Sequence, residues 1–159
     1  MWGILAVAAI FAIAAIVLTA VKWMMPPREV TTTVTAGPPA YTSDQIAAAK
    51  KQACDASMRI DDPITDADRA LVAIPDRSSP EAQAALANFQ NVIMVETEYL
   101  KTQTTPAAPE AVRNAVKGYV DALLSQADAE TRLLADGEVN IRARATRAAG
   151  STLGKVCKE

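Results

Sequence analysis

Two thiols carry the clearest chemistry in this sequence: Cys54 in "KKQACDASM" and Cys157 in "GKVCKE". The 102 residues at positions 55–156 separate them. That spacing is neither a C-x-x-C redox pair nor a zinc motif. It fits one structural disulfide closing a long loop. In the chain-entropy model such a loop is worth about 4.7 kcal/mol as an upper value. An even, well-separated pair downstream of an apolar segment is the pattern of an oxidising compartment.

Other reactive groups do not form a site. Histidine is absent, which removes the commonest general base and metal ligand. "RIDDPITDADRAL" packs Asp61, Asp62, Asp66 and Asp68 together, but it lacks the central glycine and distal glutamate of a calcium loop. We read it as a solvated, helix-capping loop. Arg144 and Arg147 share a helix face and Arg142 lies far round from it, so these three form no single anion-binding stripe. Glu96 and Glu98, two apart, do not converge on a helix. Ser43, Ser78 and Ser79 read as caps rather than nucleophiles, and no glycine-rich phosphate loop is present. The expectation is a protein that is not an enzyme, with no catalytic, metal or cofactor site. A net charge of −2 gives no electrostatic case for nucleic acid.

The elements that must position the two cysteines follow from patterning. "WGILAVAAIFAIAAIVLTAV", Trp2–Val21, is 20 residues without a charge. At about 1.5 Å per residue a helix of that length crosses a roughly 30 Å hydrocarbon core. Trp2 and Trp23 bracket it as interfacial aromatics do. A cleaved signal peptide would have a basic start, a shorter apolar run and a better cleavage site. Residues 1–25 are therefore expected to be an uncleaved transmembrane anchor. Ala8, Ala12, Ala15 and Thr19 line one face of it, a small-residue surface suited to packing against another membrane helix. Lys22 and Arg28 alone would place the bulk of the chain in the cytoplasm. The cysteine pair outweighs them and places it outside.

Residues 26–42 hold four prolines and a run of threonines and read as an extended tether. Residues 43–159 are expected to form an extracytoplasmic all-α domain, an up-down bundle of about four helices. With 33 alanines and seven aromatics in the chain, its core is thin and closely spaced. Thr42 or Ser43 caps the first helix, with Ile46, Ala49, Ala53 and Ile60 on one stripe and Cys54 beside it; Pro63 closes the region. A short helix capped by Thr65 follows, bounded by Pro75. Ser79, Pro80 and Glu81 start the clearest helix, which buries Ala82, Leu86, Phe89, Ile93 and Leu100. Glu110 opens the next, with Val112, Val116, Tyr119 or Val120, Leu123, Leu124 and Ala127 at helical spacing and Asp136-Gly137 as its stop. The last helix runs from Glu138 and turns Ile141, Ala145, Ala148, Ala149, Leu153 and Val156 inward. Gly150 and Gly154 weaken its end. Short turns make neighbours antiparallel, which brings Cys157 beside Cys54. The same closure sets residues 55–76, net charge −4, against 138–159, net charge +3.

On Tyr41-Thr42, Gln45, Ala47 to Lys50, Cys54 and the terminal Cys157-Lys158, the chain resembles the uncharacterised alanine- and proline-rich single-pass membrane proteins of mycobacteria and related actinobacteria. It departs from them in lacking a basic segment before the anchor. The resemblance implies an extracytoplasmic helical domain and brings no activity. The Mce-associated membrane proteins share the anchor-plus-domain plan, but their expected sheet has no counterpart in this pattern. The functional expectation is a non-catalytic accessory protein in the cell membrane, in contact with the bilayer and with a membrane-protein partner, bracing a larger complex. The alternative is an outer module that binds a lipid or other apolar ligand.

Overall fold

The computed structural model of the protein describes residues 40–159. The anchor, most of the tether, and Ala8, Ala12, Ala15 and Thr19 lie outside the described residues. Four α-helices, and no strand among the described residues, build the domain: α1 Ser43–Val72, α2 Pro80–Gln103, α3 Glu110–Thr131 and α4 Asp136–Lys158. None of the described helices is long and apolar enough to cross a membrane. They form the expected up-down bundle around Phe89, Ile60, Ile93, Leu100, Leu123 and Leu153.

Two helix starts follow the sequence closely. Thr42 caps α1 through a reciprocal box: its Oγ1 accepts from Gln45 N at 3.3 Å, and Thr42 N donates to Gln45 Oε1 at 2.9 Å. Ser79 Oγ accepts from Ala82 N at 3.1 Å at the head of α2, where Pro80 takes the first helical position.

Pro63 does not close α1, and no separate helix begins at Thr65. The 30-residue helix runs through the proline. An interior proline removes one hydrogen bond and costs about 3 kcal/mol. The buried stripe Ala49, Ala53, Ala56, Ile60, Ile64, Ala67, Leu71 continues past it at unbroken spacing. Burying Ile64 and Leu71 returns roughly 1.5–3 kcal/mol each, which offsets that loss. The four aspartates thus sit on a helix, not in a loop. Ile46, one turn before Ala49 at the start of the helix, is exposed.

The end of α3 also differs. It stops at Thr131, and Asp136-Gly137 are the first turn of α4 rather than a stop. Leu133, at φ 50°, supplies the left-handed residue usually given by glycine. Leu134 N donates to Ala129 O and Leu133 N to Glu130 O, both at 3.1 Å, completing a Schellman closure. Leu124 is exposed, and Gln126 and Glu130 are buried in its stead.

On α4 the inner face is rotated from the expected one. Ile141, Ala145 and Ala148 are exposed, while Thr146 and Leu153 are buried and Ala149, Val156 and Cys157 pack against the core. Gly150 has a packing reason: a Cβ there would lie 3.2 Å from Tyr119 Cε2. Its absence lets the α3 ring lie against α4. Gly154 faces open space.

Candidate functional site: the α1–α4 furrow

Packing within the bundle is uneven. α1 packs chiefly on α2, and α3 on α4, so the domain is two helical hairpins. α2 and α3 join them along one edge, whereas α1 and α4 touch sparsely along the other. Two ties close that open edge. At one end Cys54 and Cys157 form the expected disulfide, with Cα atoms 5.6 Å apart. At the other end Arg77, in the α1–α2 loop, reaches across to the α3–α4 hairpin. Its Nη2 donates to Glu130 Oε2 at 2.7 Å; its Nη1 donates to Leu134 O at 2.9 Å and to Asp136 Oδ1 at 3.1 Å. Burial pushes the Glu130 carboxyl above its ordinary value, and the Arg77 ion pair works against that rise.

Along this edge runs a furrow with two kinds of lining. The middle section, about 380 Å³, is floored by Phe89, Tyr119 and Leu123 and walled by Asp61, Thr65 and Asp68 from α1 and by Thr146 and Arg147 from α4. Gln126 Nε2 donates to Asp68 Oδ1 at 2.8 Å. Burial raises the Asp68 carboxyl, opposed by the charge of Arg147 and by the Gln126 hydrogen bond. Burial, with Asp61 beside it, pushes the Tyr119 phenol up to about 12, so it is a neutral hydroxyl at ordinary pH and not a base. Thr146 Oγ1 donates to the carbonyls of Ala122 and Arg142, both at 3.2 Å. The section beside the disulfide, about 460 Å³, is mainly apolar, with Ala47, Met58, Gly154 and the cysteines below Lys50, Lys51 and Lys158.

The expected meeting of an acidic α1 with a basic α4 therefore takes a specific form. Asp61 and Asp68 face Arg147 across the furrow. Arg142 turns elsewhere, donating to Ser125 Oγ at 3.2 Å and lying 3.9 Å from Glu138. Asp66 pairs with Arg69 on the surface. Of the site residues picked out in the sequence, Cys54 and Cys157 are brought together. Arg77, Glu130, Asp68, Gln126 and Tyr119 were not singled out as a set. For the helical members the sequence signal is polar character at inward helical positions, such as Gln126 and Glu130 near the end of α3; Arg77, in a loop, carries none.

Chemically, the middle section offers hydrogen-bonding groups of both signs, and the disulfide end offers an apolar bed under cations. Among the described residues, no group of three or more acidic or thiol side chains is placed to hold a metal ion. Compared with protein-family models, with characterised proteins and with solved structures, the chain matches none.

Proposed function

We propose that the protein is a non-catalytic accessory protein of the cell envelope, held to the membrane by residues 1–25 with its bundle outside the cytoplasm. The uncharged segment Trp2–Val21 supports the anchor, the prolines of residues 26–42 the tether, and the disulfide the oxidising side. The observation that carries a binding role is the furrow. A bundle made only to be stable would close its α1–α4 edge with apolar packing, whereas this one spans the edge with two ties and leaves a furrow open along it.

Two uses follow, and each has its own surface. Bracing a larger membrane complex would draw on the anchor face Ala8, Ala12, Ala15 and Thr19. It would also draw on Met94 and Val95, which are 63 % and 64 % exposed on α2. Holding an apolar ligand would use the furrow. Purification from native membranes in mild detergent separates them. A bracing protein brings stoichiometric protein partners, which Ala12→Leu should release by pushing a packed helix away. A ligand module brings solvent-extractable lipid and no partner. Release of the chain from membranes by alkaline carbonate wash would contradict the anchored reading itself.

A further inference from the structure

We propose that the disulfide end of the furrow is a binding site for a lipid with an anionic headgroup, drawn from the bilayer; this rests on the membrane-anchored reading. The bed is apolar: Ala47 and Met58 from α1, the Cys54–Cys157 bridge, and the bare backbone at Gly154. Met58 is 69 % exposed and adds apolar surface to this bed. A Cβ placed on Gly154 would meet nothing within 4 Å, so the space above it is real. The volume of about 460 Å³ is in the range of small-molecule pockets.

The rim sets the headgroup. Lys50, Lys51 and Lys158 all line the groove. Asp55 also lines it and is held by Lys51, which leaves Lys50 and Lys158 outside any ion pair among the described residues. Ser57 does not compete, because its hydroxyl donates to Cys54 O at 2.8 Å. Lysine stems cover apolar surface while their ammonium groups stay in water. Two unpaired cations over an apolar bed therefore complement an acyl chain carrying a carboxylate or phosphate. The source follows from the chain. The groove is built on the first turns of α1, just after the described domain begins at Ala40, and the uncharged segment ends at Val21. Only the proline- and threonine-rich stretch 26–42 lies between that segment and α1, so on the anchored reading the groove is tethered to the bilayer from which the lipid would come.

Methionine methyl resonances give the test its own control, since Met58 lies in the groove and Met94 on α2 outside it. The full chain, labelled at methionine methyls, is placed in phosphatidylcholine nanodiscs and titrated with oleate. The Met58 signal should shift saturably while Met94 stays fixed. Oleoyl-lysophosphatidylcholine, with the same chain and a zwitterionic head, should leave Met58 in place. Gly154→Phe should fill the groove and abolish the oleate shift. Lys50→Glu with Lys158→Glu, which leaves the core untouched, should weaken it about tenfold. A static Met58, equal shifts at Met58 and Met94, or equal responses to the two amphiphiles would overturn the site. Failure of the chain to travel with the nanodiscs would instead refute the anchored reading, and oleate added to the free chain would still read the groove.

Discussion

Cys157→Ser should lower the unfolding midpoint by roughly 10 °C or more. Losing a native disulfide from a small domain typically costs about 2–5 kcal/mol, against a total stability on the order of 5–15 kcal/mol. Each kcal/mol moves the midpoint of a domain this size by a few degrees. The local reason is the open edge. α4 leans on α3 and hardly on α1, so without the bridge its last turns are restrained mainly by Leu153, Val156 and Ala149. Gly154 adds a helix-weakening residue next to the lost tie. Limited proteolysis of the variant should cut first in α4 and leave α1 and α2 until later. A midpoint within about 2 °C of the parent, or first cuts in the α1–α2 hairpin, would show that the bridge does not hold the edge.

The second large effect belongs to the opposite end. Arg77→Met should cost about 2–3 kcal/mol at neutral pH. Breaking a fully buried pair costs about 3–5 kcal/mol; Arg77 is 31 % exposed, so water softens the loss. The Glu130 side chain is only 5 % exposed and would be left as an unpaired buried carboxylate. The pH dependence follows from its raised pKa. A carboxyl whose folded value is raised contributes stability that is complete below its ordinary value, 4.5, and lost as pH rises through the folded value. Removing Arg77 raises that value further. The variant should therefore match the parent most nearly in acid, fall behind it once pH passes the parent's raised folded value, and level off above its own still higher one. Adding Glu130→Gln should remove most of this slope. A penalty independent of pH, or unchanged by Glu130→Gln, would mean that Arg77 acts through the Leu134 carbonyl and loop packing instead. Chemical denaturation at several pH values measures all of this.

Much of the fold was legible because local signals and burial agree. Ser79-Pro80-Glu81 is a complete helix start, and Phe89, Ile93 and Leu100 are large enough to mark their stripe. The cysteine pairing followed from an even count and antiparallel neighbours. Two misreadings concern helix ends, where the local signal is outweighed by something non-local or conformational. Pro63 reads as a terminator, but the stripe Ile60, Ile64, Ala67, Leu71 continues beyond it and decides the outcome. The real stop after α3 is invisible in sequence because Leu133 occupies the position where glycine is usual. The α4 face differs because alanines lie all round that helix, so hydrophobicity gives no direction; Thr146 points inward, where its hydroxyl donates to Ala122 O. The furrow was not legible at all. It arises from the spacing between α1 and α4, a property of neither helix alone.

Whether the clasped bundle stands outside the cytoplasm on a membrane anchor, as proposed, is tested most directly by its two cysteines in place. Sealed spheroplasts are treated with a membrane-impermeant PEG-maleimide, with and without prior TCEP, which also stays outside. The chain should take no label without TCEP and two PEG groups after it, since both thiols are then outside and were previously joined. Labelling without reduction would contradict the disulfide, and labelling that requires lysis would place the domain in the cytoplasm.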